Sequence, residues 1–168
     1  MGIRTPKALI LIEGADCMGP KQKEKQFVLF NVAGYGYGID IQNVLEITVM
    51  LPITRVPETP DFIQGVLNLR SDIVPVIDMR KRLGFDTVQF TEVSRIIVLF
   101  YNNIKAGIIV DSVQEVIEIS EDNIDSSFDI NESEYGEFIL GIGKLDDRVV
   151  ALIDIERLMN VGMGVSTI

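Results

Sequence analysis

The sequence predicts an all-β protein built as two similar barrel-like units of about five strands each, with a few short helices. Three observations carry this reading. Short β-branched and aromatic runs recur, each followed by Gly, Asn or Pro turn signals. Helix periodicity never lasts. The two halves of the chain also repeat one another.

Taken in order, residues 1–24 mix Pro6, Gly14, Gly19, Pro20 and a charged KQKEK stretch, and read as a flexible N-terminal arm. Its apolar run ALILI (8–12) is too short for a signal-peptide core and is followed at once by Glu13 and Asp16. No run approaches the roughly 18 apolar residues of a membrane span, so a cytoplasmic location is expected. From Phe27 the texture changes to FVLFNV (27–32), then RIIVLFY (95–101), IKAGIIVDSV, EVIEIS, EFILGIGKL and RVVALIDI. Helical spacing shows only in DIQNVLEI (40–47), DMRKRLG (78–84) and DIERLMN (154–160). The last two begin with Asp, a favoured N-cap, and Gly84 is placed to end the first of them. Between the segments at 40–47 and 78–84, MLPITRVPETPDFIQG (50–65) carries Pro52, Pro57 and Pro60 and must be extended. Residues 161–168 read as a tail.

A shift of 69 lays Phe27–Phe30 over Ile96–Leu99, Gly38-Ile39 over Gly107-Ile108, Val44 over Val113 and Glu46 over Glu115. A shift of 76 lays Gly65-Val66 over Gly141-Ile142 and Val76–Met79 over Leu152–Ile155. Units at about 27–84 and 96–159 follow, too small to be stable alone and therefore expected to depend on each other. Asp78 and Asp154 agree, as helix caps should; Gly65 and Gly141 agree and mark a tight backbone site. Pro75 faces Ala151 in this alignment, so the first unit's strand should be unpaired on one side there. Arg70 reads as the end of a strand just before a polar turn, Ser71-Asp72, and corresponds to Asp146: the strands are kept while the charge reverses, which places Arg70 toward a partner or, on the plainer reading, leaves it a solvated or salt-bridged arginine.

Composition removes several classes. With no histidine, Ser-His-Asp and Cys-His catalysis, the common zinc sites and a phospho-accepting histidine are absent. The single cysteine, Cys17, makes no disulfide framework. A net charge of −10 leaves no basic footprint for nucleic acid. The acidic stretch SEDNIDSSFDINESEYG (120–136) fails as an EF-hand loop: starting at Glu121, Ser126 falls where glycine is needed. GYGYG lies between two strands and reads as a hairpin turn, not a phosphate loop. No metal, cofactor or catalytic residue is assigned. A carboxylate-based hydrolase would need a perturbed acid pair in a cleft, and the acids here fall mostly in loops and at caps.

The stretch IQGVLNLRSDIVPVIDMRKRLGF, preceded by VLEI and ITRVPETPDFIQG, resembles the CheW family of chemotaxis coupling proteins. That family's pattern runs V-x-E-I, then T-x-(I/V)-P-x-(T/A)-P-x-(F/Y)-(I/V)-x-G-(V/I)-x-N-L-R-G, then P-(V/I)-(I/V)-D-L-R. AGIIVDSVQEV and GIGKLDDRVVALIDIERLM continue the resemblance, which spans roughly residues 26–160. Ser71 departs from it, standing where the family usually has glycine. The resemblance implies two SH3-like β-barrel subdomains and a non-enzymatic adaptor. It implies docking on the regulatory domain of the histidine kinase CheA and on the helical cytoplasmic tip of chemoreceptors. It also implies partner-contact roles for Arg70, Glu46 and Val44. A CheV-type adaptor, which adds a receiver domain, is the second reading; no βαβ pattern for such a domain follows the repeat.

Overall fold

The computed structural model describes residues 24–126 and 138–160. The arm up to residue 23, with Cys17 and ALILI, the acidic positions Asp129 and Glu132, and the tail at 161–168 lie outside the described residues. Glu24, placed by sequence in the arm, instead opens the first strand and pairs with Ser120.

The described residues form eleven strands and two short helices. The first half runs β1 (Glu24–Val32), β2 (Tyr35–Asp40), β3 (Val44–Val49), β4 (Ile63–Leu69), β5 (Asp72–Asp78) and α1 (Met79–Arg82). The second runs β6 (Arg95–Tyr101), β7 (Ile104–Val110), β8 (Ser112–Ser120), β9 (Ile124–Asp125), β10 (Ile139–Leu145), β11 (Arg148–Ile153) and α2 (Ile155–Asn160). Helical spacing at 40–47 does not make a helix. Asp40 caps one 3-10 turn at Ile41–Asn43, and Val44 then starts β3. Its apolar positions fit either period, and the strand has sheet partners.

The strands form a five-stranded sheet ordered β3-β6-β7-β5-β4 and a six-stranded sheet ordered β8-β1-β2-β11-β10-β9. Neither is a repeat unit by itself. The first barrel takes β3, β4 and β5 from the first half but its β6–β7 hairpin from the second; the second barrel takes its β1–β2 hairpin from the first half. The exchange is reciprocal. Val76 lies beside Gly107 in the parallel β5–β7 pairing, and Leu152 lies beside Gly38 in the parallel β11–β2 pairing. These pairs are related by the same 76 and 69 shifts that align the sequence.

The exchange explains why FVLF and RIIVL do not alternate polar and apolar. In β1, Phe27 and Leu29 face the interior of the second barrel, while Val28 and Phe30 face a core shared between the barrels. In β6, Ile96 and Val98 fill the first barrel and Ile97 and Leu99 face the shared core. Strands covered on both faces read as continuous apolar runs. The shared core is the largest of the three, joining side chains of β1, β2, β5, β6, β7, β11, α1 and α2.

The loops follow from local chemistry. Ala33-Gly34 and Asn102-Asn103 are two-residue hairpin turns with both residues at positive φ, of 56° and 86° and of 52° and 64°. Asp78 accepts from Arg80 N at 3.0 Å and Asp154 from Glu156 N at 3.1 Å, as N-caps do. Gly84, at φ 86°, follows the C-cap of α1. Pro75 pairs with Val66 on the β4 side, and the β7 ladder starts only at Val76, so no strand bond is asked of the proline nitrogen.

Gly65 and Gly141 sit where each barrel closes. Thr54 bridges to Val66, and Asp125 pairs with Ile142. A Cβ on Gly65, at φ 152°, would stand 2.3 Å from the Thr54 carbonyl oxygen; on Gly141 it would stand 3.0 Å from that of Asp125. Gly65→Ala should therefore destabilise by about 2–4 kcal/mol in chemical denaturation, and Gly141→Ala by less, about 1–2 kcal/mol. Equal, small losses would contradict the close approach. Cutting the chain near residue 90 separates every exchanged hairpin from its barrel. Neither fragment alone should give dispersed amide spectra or a cooperative melt, and mixing the two should restore both.

Candidate functional site

β3 is an edge strand of the first barrel. Val44, Glu46 and Thr48 are half-buried and alternate with exposed Leu45, Ile47 and Val49. A pleated strand points successive side chains to opposite faces, so Leu45, Ile47 and Val49 form an apolar stripe in solvent. Apolar edges of this kind are docking surfaces or aggregation hazards. Val44 packs against the shared core and lies opposite Leu99 of β6.

Arg70 and Glu46, expected separately from the sequence, are partners. Arg70 Nη1 donates to Glu46 Oε1 at 2.5 Å. The pair joins β3 to the β4–β5 turn, spanning the two edges of the five-stranded sheet. Arg70's side chain remains 78% exposed, Glu46's only 23%. In an exposed pair Coulomb attraction is screened, and the bond contributes on the order of 0–1 kcal/mol. Its effect is to orient the guanidinium, whose remaining N–H donors face water.

Two sequence inferences need correction. Arg70 does not end a strand ahead of a Ser71-Asp72 turn. Arg70 and Ser71 are the turn, at φ 51° and 75°, and Asp72 already pairs with Leu69 in the β4–β5 ladder. Nor does the Asp146 comparison point to a partner. In the second barrel Glu115, the mate of Glu46, is held by Arg148 Nη2 at 2.8 Å. The scaffold makes the same Glu–Arg bond twice and takes the arginine from a position two residues further along the hairpin, so the reversal at Asp146 leaves the pair intact. Beside it, Lys105 Nζ donates to Asp72 Oδ2 at 2.5 Å, so the tip of the β4–β5 hairpin carries a second ion pair.

Two arginines of α1 escaped the sequence reading. Arg80 donates through Nε at 3.0 Å and Nη2 at 2.7 Å to the two Asp111 oxygens, and through Nη1 at 3.0 Å to the Asp86 carbonyl. Asp111 also accepts from Ala33 N at 2.9 Å, so this fork ties α1 to the β1–β2 turn of the other barrel. Hydrogen bonds from Arg80, and then that from Ala33, hold the Asp111 carboxyl below the usual range, against opposing burial. Burial pushes the Asp78 carboxyl up, partly offset by the Arg80 and Lys81 N–H groups and their charges. Arg82 lies buried with its guanidinium carbon 4.1 Å from the Phe62 ring centroid and 4.0 Å from that of Phe138. Only the spatial neighbours of Arg80 and Arg82 reveal these roles, and nothing in their local spacing does. Among the described residues no group of three or more His, Cys, Asp or Glu side chains is placed to hold a metal ion, and no helix is long and apolar enough to cross a membrane.

Ser71 stands in a conformation that costs an L-residue roughly 1 kcal/mol and glycine almost nothing. Ser71→Gly should therefore stabilise the protein by a few tenths to about 1 kcal/mol, read by denaturant midpoint; a loss of stability would contradict the turn geometry. The Arg80–Asp111 fork gives a pH signature. A carboxyl whose folded pKa is depressed contributes stability that is present above its unfolded pKa, about 4, and is lost as pH falls through the folded value. Asp111→Asn should melt below the parent at pH 7, with the gap narrowing below about pH 4. A gap that is constant with pH would show that charge is not the cause.

A family model, the CheW-like domain, matches residues 26–162. The chain is 37% identical over 136 residues to chemotaxis protein CheW of Klebsiella aerogenes, covering 81% of this chain and 82% of that one. It is 32% identical over 127 residues to chemotaxis protein CheV3 of Helicobacter pylori, covering 74% of this chain and 41% of that longer protein. The crystal structure of the scaffolding protein TtCheW from Thermoanaerobacter tengcongensis superposes with a TM-score of 0.76 at 40% identity, covering 83% of this chain and 94% of that one. The two-barrel architecture, the described β3 edge and these likenesses agree, and the chain belongs to the CheW-like family of chemotaxis scaffolding proteins.

Proposed function

We propose that this chemotaxis adaptor couples chemoreceptors to the histidine kinase CheA by holding the kinase's regulatory domain and the helical cytoplasmic tip of a receptor on one rigid body. The observation that carries the reading is the exposed Leu45, Ile47 and Val49 stripe on an edge strand, with the oriented Arg70–Glu46 pair beside it. An apolar centre with a charged rim is the anatomy of a protein interface: the centre gives affinity, and the rim sets register and partner choice. Val44 fixes the strand from below by its packing on the shared core. The second barrel presents a comparable edge in β8, with Val116 exposed and the Glu115–Arg148 pair at its side. Two edges on one body allow two partners to be held at once.

The test is a pull-down of the full chain with a CheA regulatory domain and a soluble receptor-tip fragment, each alone and together. Arg70→Glu places two carboxylates where an ion pair stood and reverses the rim charge. It should weaken binding of at least one partner by about tenfold, while stability changes by no more than about 1 kcal/mol. Arg70→Ala should have a smaller effect, because it adds no repulsion. Unchanged binding by Arg70→Glu would remove Arg70 from the interface. A stability loss well above 1 kcal/mol would instead make the pair a structural one.

A further inference from the structure

We propose that Arg82 is a positioning residue: its guanidinium fixes the orientation of one barrel against the other, and signal coupling between partners depends on that orientation. The inference rests on the adaptor reading above and concerns the body between the partners, not the surfaces that touch them.

Phe62 immediately precedes β4 and Phe138 immediately precedes β10, so they occupy the same place in the two halves, 76 residues apart. Each is anchored by the same backbone bond: the Phe62 carbonyl accepts from Asp78 N at 2.8 Å, and the Phe138 carbonyl accepts from Asp154 N at 2.8 Å. One ring therefore belongs to the first barrel and one to the second. The Arg82 guanidinium carbon lies 4.1 Å from the Phe62 centroid and 4.0 Å from the Phe138 centroid, so it touches a ring from each barrel. Its repeat mate is Leu158, a fully buried residue of the shared core. Two rings matched by the repeat thus meet one cation whose repeat mate is apolar.

The chemistry of that position is specific. A guanidinium is flat, and each of its faces can meet the negative face of a ring. Leucine, the residue at the mate position, has no flat face, and a lysine ammonium is a compact point charge on a flexible stem. The rest of the shared core is apolar side chains, and hydrophobic contact is non-directional. A slide of one barrel over the other is resisted by close packing and by the exchanged strands, but neither singles out one angle as a flat cation against two rings does. Such a slide would carry a ring off the guanidinium at once. Arg82 therefore adds, beside the Arg80–Asp111 fork, an angular restraint that apolar packing does not supply. The joint that Arg82 occupies lies in the body between a partner at the β3 edge and a partner reaching the second barrel.

The test uses the full chain with Cys17→Ser, and spin labels on cysteines replacing Ile73 and Val149, which are repeat mates and both 64% exposed. Distances between the labels are measured for the parent, Arg82→Met, Arg82→Lys and Phe62→Leu, with melting curves to show that each folds. The same variants without labels are assayed for affinity to the CheA regulatory domain and the receptor-tip fragment separately, then for receptor-dependent activity of full-length CheA. The distance distribution should broaden or shift in all three variants, the lysine behaving like the methionine. Receptor-dependent kinase output should fall by about fivefold or more while each separate affinity stays within about twofold. If Arg82→Met fails to fold, Arg82→Lys and Phe62→Leu decide. Parent-like distances and output in those two would overturn the proposal, as would a loss of output that merely tracks a loss of affinity. If the parent binds neither partner the adaptor reading falls, while the label distances still test the joint.

Discussion

The core shared between the two barrels is the constraint on which the rest of this protein depends. Each barrel lacks two strands until the other half of the chain supplies them. The exchanged hairpins are buried on both faces, one face filling a barrel and the other filling the space between barrels. Removing either hairpin would open a barrel and uncover the shared core together. Burying a large apolar side chain contributes about 1.5–3 kcal/mol, against marginal stability for a whole domain, so neither half has a folded alternative of its own.

From that body the surface follows. A barrel made partly of borrowed strands still needs to close, and closure falls at Gly65 and Gly141, where two backbones meet too closely for a side chain. Beyond that seam β3 is left as an edge, with its outer face apolar. The Glu46–Arg70 pair crosses the same opening. The first barrel's candidate partner surface is therefore next to the place where its sheet stops, and it is held by the core beneath Val44. Rigidity and docking are two consequences of one topology. The Arg80–Asp111 fork and the Arg82 contacts with Phe62 and Phe138 add directional bonds to this otherwise apolar joint.

How much of this was readable in the sequence depended on distance along the chain. The strands, the caps at Asp78 and Asp154 and the need for glycine at 65 and 141 all leave local marks, and the two shifts align them. The exchange of hairpins leaves none. FVLF shows that a strand is covered on both faces, but not by which half of the chain. The helical reading of DIQNVLEI failed because apolar residues at Ile41, Val44, Leu45 and Ile47 satisfy a helical period, while sheet pairing with β6, such as Ile47 with Ile97, decides the matter from far along the chain. Arg70 was singled out by its repeat mate and by resemblance, Glu46 by resemblance alone. Their bond joins residues 24 apart, and its second copy at Glu115 and Arg148 hides because the arginine has moved along the hairpin. Arg80, though it stands at the arginine of the family's D-L-R, and Arg82 gave no sign of their roles, since a basic helix end reads as solvated until Asp111, Phe62 and Phe138 are seen around it.

Native-state hydrogen exchange tests the central claim most directly. If the shared core makes one cooperative unit, the slowest amides of β1 and β2, in the second barrel, and of β6 and β7, in the first, should exchange through the same global opening. They should give one free energy and one denaturant dependence. A lower opening free energy for all the strands of one barrel, with the other still protected, would contradict it. It would show that the barrels, and not the interlocked pair, are the units that fold.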